Sequence, residues 1–141
     1  MSRRRWLWLI LSVLWAGFIF WNSAQNAEVS DGLSDGVIHF LGLPLSSFWV
    51  RKAAHFCAFA LLGILLQRFF ANGEKPTPYG TLVLICLLVA CTDETVQLFP
   101  TGRSSELRDV WIDFAGSLVG VTGISLLFRP RQKLPLQTDG E

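Results

Sequence analysis

Four apolar segments restrict the fold of this chain more than any other feature. They run over Trp6–Trp21, Ala53–Phe70, Tyr79–Leu98 and Val110–Phe128, so each has about 16–20 residues. A helix needs about 20 apolar residues to cross a hydrocarbon core. Because lipid offers the backbone no hydrogen-bond partners, such segments must be helical. The sequence therefore predicts an all-α fold, an integral membrane bundle of four transmembrane helices.

The composition agrees with a membrane protein. Hydrophobic residues make up 51% of the 141 residues and charged residues only 16%, against about 25% charged in soluble domains. The net charge of +1 gives no general attraction to nucleic acid. The three cysteines match no zinc or redox spacing. We expect one domain at 1–128 in a lipid bilayer, no nucleic-acid partner, and a basic, disordered cytoplasmic tail at 129–141.

The first segment has two interpretations. Three arginines precede it and small residues follow at 22–27, as in a secretory signal with a cleavage site. The length of the segment and its Trp content favour a retained helix. With four retained helices and the N-terminus inside, the inner segments hold eight Lys and Arg and the outer segments four. Cytoplasmic segments carry this excess, so both termini are expected in the cytoplasm.

The longest connection, at 22–50, is then external. Asp31, Ser34 and Asp35 lie on one face of a possible helix in this connection. Its opposite face is apolar and consists of Leu33, Val37, Phe40 and Leu41. This spacing favours a short extracellular interfacial helix between the first and second spans, ended by Gly42-Leu43-Pro44. A plain loop is the alternative.

Three ionisable residues lie at one depth in three different segments. His55 and Asp113 lie fifteen residues, and Asp93 fourteen, from the predicted inner ends of their segments. At 1.5 Å per residue, each lies roughly 21–23 Å above the inner surface. Charged groups within a membrane are costly and usually face a bundle interior or a water-filled cavity. We therefore expect the three side chains to converge inside the bundle.

Helical spacing groups the polar residues further. Residues four apart share a face, which pairs Arg51 with His55, Asp93 with Gln97, and Asp109 with Asp113. The Asp109–Asp113 face continues through Gly116 and Gly120. These two glycines form a small-xxx-small motif, which lets another backbone approach closely. The carboxylates are therefore expected to point inward, and the glycines offer a possible oligomer contact.

Together these residues predict a polar ligand-binding site in the outer half of the bundle. Its members are Arg51, Lys52, His55, Asp93, Glu94, Gln97, Arg103, Asp109 and Asp113. Of these, His55, Asp93 and Asp113 are the candidates for acid–base catalysis. His55 with several carboxylates could also bind a divalent cation, but no compact metal-ligand motif is present, so neither a metal nor a cofactor is expected. A buried ion-pair network that only fixes helix registry is the structural alternative.

Short motifs resemble the VanZ-like family of small bacterial membrane proteins. They are Phe20-Trp21-Asn22-Ser23 with Gln25, Arg51-Lys52-Ala53-Ala54-His55-Phe56, Thr92-Asp93-Glu94 with Gln97, and Gly102-Arg103-Ser104 followed by Asp109, Asp113 and Gly116. The resemblance covers Phe20 to about Gly120 and implies a four-helix domain in the bacterial inner membrane. The best-known member of that family is associated with low-level resistance to teicoplanin, a glycopeptide antibiotic.

Three functions remain open at this point. The first is a binding protein whose outward pocket holds an envelope lipid, a lipid-linked cell-wall intermediate or a glycopeptide. The second is an intramembrane enzyme that uses His55 and the carboxylates on a lipid-linked substrate. The third is an assembly factor whose charges are purely structural.

Overall fold

The computed structural model describes residues 2–42, 44–73, 77–102 and 106–127. Within them the chain forms five helices and no strand: α1 (Arg3–Ser23), α2 (Ala27–Leu41), α3 (Ser47–Ala71), α4 (Tyr79–Val96) and α5 (Leu107–Leu127). All but α2 are long and apolar enough to cross a membrane. The described part of the chain is thus a multi-pass bundle of four long helices with one shorter helix. The predicted tail at 129–141 and Arg103 lie outside the described residues.

Two of the long helices begin before their apolar segments do. α3 starts at Ser47 rather than Ala53, and α5 starts at Leu107 rather than Val110. The additional turns carry Arg51, Lys52 and Asp109, all of which pair with side chains of other helices. The 25 residues of α3 extend about 38 Å at 1.5 Å per residue. Because this exceeds a hydrocarbon core of about 30 Å, the charged turns can extend into the interface.

The connection between the first two spans is helical rather than a plain loop. α2 ends at Gly42, whose φ of +62° is the left-handed conformation that glycine supplies at helix ends. Large apolar side chains are exposed along α2, with Phe40 the most exposed at 86%. Ser30 and Ser34 are buried. The location of this amphipathic helix at the membrane surface remains a prediction.

Glycines allow α3 and α5 to approach each other closely. A Cβ atom on Gly116 would lie 2.3 Å from the carbonyl oxygen of Phe56, and one on Gly120 would lie 1.9 Å from that of Ala60. From the other side, a Cβ atom on Gly63 would lie 2.3 Å from the carbonyl oxygen of Ser117. The small-xxx-small motif therefore packs α5 against α3 within one chain. An oligomer formed through Gly116 and Gly120 would first have to separate these helices.

Helix α1 is an integral part of the bundle. Trp15 Nε1 donates a 2.9 Å hydrogen bond to the carbonyl oxygen of Ala58 in α3. Ile19 is buried in a core that includes Phe59 and Ala90, from α3 and α4. Side chains of α1 therefore form part of the core of the described bundle.

Candidate functional site

One end of the bundle brings together polar residues from all four long helices. α1 and α4 finish at this end, and α3 and α5 begin there. His55 lies at the centre: its Nδ1 is 3.5 Å from Asp113 Oδ1 and 3.7 Å from Asp93 Oδ2. The side chain of His55 is 12% exposed, and the two carboxylates are 1% exposed or less. The predicted convergence of these three side chains is confirmed, and they point into the bundle rather than into lipid.

Asp93 is held by two further side chains. Ser23 Oγ and Gln97 Nε2 each donate a 2.9 Å hydrogen bond to Asp93 Oδ2. Ser23 is fully buried at the last turn of α1. Sequence reasoning did not include Ser23 among the site residues, although it belongs to the Phe20-to-Ser23 motif. A serine hydroxyl gives a weak signal, since serine is common in apolar helices and needs no charged partner.

The described basic residues of the site, Arg51 and Lys52, each form an ion pair. Lys52 Nζ pairs with Asp109 Oδ2, which joins α3 to α5, and each side chain is 13% exposed. Arg51 pairs with Asp31 of α2, and this pair is more exposed. The predicted site did not contain Asp31, because the sequence placed it only on the polar face of an external helix. Both cations are therefore engaged by carboxylates.

Glu94 contacts the start of α5, whereas its neighbour Asp93 faces His55. Its Oε1 accepts a 2.5 Å hydrogen bond from the backbone N–H of Glu106, the residue before α5. Carboxylates at a helix N-terminus stabilise the unpaired N–H groups there. The Glu106 side chain in turn pairs with Arg108, at 2.6 Å. This hydrogen bond from Glu94 therefore connects the start of α5 to α4.

A cavity of about 230 Å³ lies above the His55 cluster. It is bounded by α2, α3, α5 and the turn after α4. Six of the predicted residues line it: Arg51, Lys52, His55, Gln97, Asp109 and Asp113. Asp93 and Glu94 do not line it, and Arg103 lies outside the described residues.

The turn after α4 is fixed over the cavity by its backbone. The Thr101 carbonyl accepts a 3.3 Å hydrogen bond from the Ala27 N–H at the start of α2. Gly102 has a φ of +77°, and a Cβ atom there would lie 3.2 Å from the Ala27 side chain. Since the left-handed conformation favours glycine, Gly102 suits both the turn and the close contact.

Acidic groups outnumber basic ones around the cavity. The lining contains the carboxylates Asp31, Glu106, Asp109 and Asp113, against Arg51 and Lys52. The only other ionisable lining residue is His55. Among the described residues, the cavity therefore carries an excess of negative charge, and Asp93 adds to it from behind His55.

Exchanging the charges of the Lys52–Asp109 pair tests whether it joins α3 to α5. We expect Lys52→Asp to lower the thermal stability of the purified protein, because two carboxylates then face each other. Breaking a buried pair costs about 3–5 kcal/mol, and the slight exposure of this pair places the loss at the lower end. Adding Asp109→Lys should restore most of the stability. Thermal unfolding in detergent measures both, and a double variant no better than the single one would contradict a direct pair.

A comparison with protein families places the chain in a known group. The VanZ/LLP1 family matches residues 8–129. The match covers most of the 141 residues and includes α1 from Trp8 onward. No curated protein and no solved structure shows a significant match. The chain belongs to the VanZ-like family of membrane proteins.

Proposed function

We propose that this protein binds the polar headgroup of a cell-envelope molecule in the cavity between α2, α3 and α5. In this proposal the protein lies in the bacterial inner membrane with both termini in the cytoplasm, so the cavity faces outward. The excess of Lys and Arg in the inner segments supports this orientation. Exposed Trp49 and Trp111, near the starts of α3 and α5, suit an interface at the same level.

The observation that carries the proposal is an open polar cavity at the end of the bundle that faces outward in the proposed orientation. A purely structural network would close on itself, whereas ion-paired side chains here surround about 230 Å³ of space. Sites for drug-sized ligands have about 300–1,000 Å³. The cavity is therefore suited to a headgroup, or to one group of a larger molecule such as a lipid-linked cell-wall intermediate or a glycopeptide.

The lining suggests which headgroups would bind. Carboxylates such as Asp109 can accept hydrogen bonds from an amine or from sugar hydroxyls. Arg51 can donate to a phosphate through its planar guanidinium. Since charge-assisted hydrogen bonds are the strong ones, a group with both an amine and a phosphate would satisfy both kinds of lining residue. Phosphatidylethanolamine is the simplest probe of this chemistry.

Native mass spectrometry tests the proposal on the purified protein in detergent. The probes are phosphatidylethanolamine, phosphatidylglycerol, a lipid-linked peptidoglycan precursor and teicoplanin, each titrated separately. We expect one or more to be retained by the wild-type protein. Arg51→Gln should weaken that binding by about 10- to 100-fold, because a hydrogen bond to a charged group is worth about 1.5–3 kcal/mol.

Arg4→Gln is the matched control, since Arg4 is an exposed arginine at the other end of the bundle. It should bind each probe as the wild type does. Retention of no probe by the wild type would overturn the proposal. Equal binding by Arg51→Gln and the wild type would move the binding site away from this cavity. Retention of teicoplanin alone would identify the glycopeptide as the ligand.

An intramembrane enzyme is the second candidate, favoured by the position of His55 between two carboxylates. An imidazole held this way can transfer a proton during hydrolysis or group transfer. The same incubations discriminate between the two functions, because a product of altered mass would appear for an enzyme. Unchanged probe masses together with retained binding would favour the binding protein.

A further inference from the structure

The His55 cluster buries more negative charge than its described neighbours neutralise. Asp93 and Asp113 are at most 1% exposed. Lys52 and Arg51 are paired with Asp109 and Asp31. A protonated His55 would supply one positive charge against two carboxylates. Because uncompensated buried charge is strongly unfavourable, the cluster is suited to a further cation.

Unpartnered oxygens point to the same conclusion. Within the described residues, neither carboxylate oxygen of Asp113 has a hydrogen-bond partner, and Oδ1 of Asp93 also has none. His55 Nδ1, at 3.5 Å from Asp113 Oδ1, is beyond the usual 2.7–3.2 Å of an N–H···O bond (about 2.9 Å on average). Asp113 also lines the cavity. A buried carboxylate that lines a cavity and accepts no hydrogen bond is an available ligand.

The spacing of the three side chains fits a single metal ion. One donor atom from each of His55, Asp93 and Asp113 lies within 4.8 Å of the others. Donors about 2.0–2.2 Å from a tetrahedral or octahedral ion are separated by roughly 3–3.6 Å. The 3.5 Å between His55 Nδ1 and Asp113 Oδ1 lies in this range, and the 3.7 Å from His55 Nδ1 to Asp93 Oδ2 places the second carboxylate beside the same site. Small side-chain rotations would therefore bring all three donors onto one ion.

We propose that His55, Asp93 and Asp113 bind one divalent transition-metal ion at the floor of the cavity. Imidazole suits zinc and iron, and carboxylates suit manganese and magnesium. A set with one imidazole and two carboxylates therefore favours Zn²⁺, Mn²⁺ or Fe²⁺ over Ca²⁺. The two positive charges would neutralise both carboxylates while His55 is neutral.

Residues around the three ligands would orient them. Ser23 and Gln97 both donate to Oδ2 of Asp93, which leaves Oδ1 for the metal. Hydrogen bonds of this kind hold ligating groups in place and raise metal affinity. The ion would join α3, α4 and α5, and its open side would face the cavity. The metal site is independent of the proposed headgroup binding, since either can exist without the other.

The sequence-based expectation of no metal rested on the lack of a compact motif. Each ligand comes from a different long helix, and the positions span residues 55–113. Motif spacing can reveal ligands that are close in the chain, whereas this set is assembled only by packing.

Equilibrium dialysis against Mn²⁺, and separately Zn²⁺, tests the proposal on the full chain in detergent. The protein is purified through a tag without histidine, treated with a chelator and then dialysed, and bound metal is counted by plasma mass spectrometry. We expect one equivalent per chain. Asp113→Asn and His55→Gln should each weaken binding by at least about 100-fold, because loss of even an outer-shell partner costs about 10- to 100-fold and these are direct ligands.

Glu106→Gln is the matched control, because Glu106 also lines the cavity and its side chain pairs with the exposed Arg108. It should retain binding to within about threefold. Size-exclusion profiles identify any variant that fails to fold. The stoichiometry of metal bound to the wild-type protein tests the proposal even if a variant does not fold. Less than stoichiometric binding by the wild type overturns it. Equal loss in Glu106→Gln also overturns it, because binding would then be a general property of the acidic cavity.

Discussion

Gly120→Ala should prevent the chain from forming a stable bundle. The added methyl group would lie 1.9 Å from the carbonyl oxygen of Ala60, a backbone atom that cannot rotate away. The two helices would have to separate along a contact that also contains Gly116 and Gly63. Overpacking a core costs typically 1–3 kcal/mol. A backbone clash at the α3–α5 contact should therefore cost at least about 3 kcal/mol.

Gly123→Ala is the control on the same helix. No atom lies within 4 Å of a Cβ atom built at Gly123, and alanine favours a helix over glycine by about 1 kcal/mol. This variant should be as stable as the wild type or slightly more so. Membrane yield and the melting temperature in detergent measure both. Similar values for the two variants would mean that α3 and α5 do not pack this closely.

The depth and facing of the ionisable residues were predictable because both depend only on helical geometry. Counting residues from the inner ends placed His55, Asp93 and Asp113 at one level. In the structure, Asp113 Oδ1 and Asp93 Oδ2 lie 3.5 and 3.7 Å from His55 Nδ1. The stripe through Asp113, Gly116 and Gly120, whose members are three or four residues apart, likewise faces inward. The fixed rise and the fixed rotation of an α-helix per residue are enough to predict the relative height and the facing of a side chain.

Contacts between distant segments were not predictable in this way. Asp31 was expected on the polar face of an external helix, and its pairing with Arg51 depends on how α2 packs against α3. Ser23 and Asp93 are 70 residues apart in the chain. The early starts of α3 and α5 also depend on contacts between distant segments. The charged residues in these first turns pair with side chains of other helices.

Replacing Asp93 in two ways separates its structural contribution from its charge. Asp93→Ala removes the acceptor of both Ser23 Oγ and Gln97 Nε2. Each buried donor left without a partner costs about 1–3 kcal/mol, so the variant should lose about 2–6 kcal/mol. Asp93→Asn keeps an acceptor oxygen for these donors and should remain close to the wild type. Thermal unfolding in detergent measures the difference, with Asp35→Ala, an exposed carboxylate on α2, as the control.

The two substitutions have different consequences for the function of the cluster. If the carboxylate charge serves a ligand, Asp93→Asn should fold like the wild type and yet bind Mn²⁺ at least about 100-fold more weakly, as for the other two ligands. If the charge instead holds the helices together, Asp93→Asn should be as unstable as Asp93→Ala, and the assembly-factor hypothesis would be favoured. Hydrogen bonds to Asp93 Oδ2 exist in either case, so only the isosteric loss of charge distinguishes a network built for packing from one built for binding.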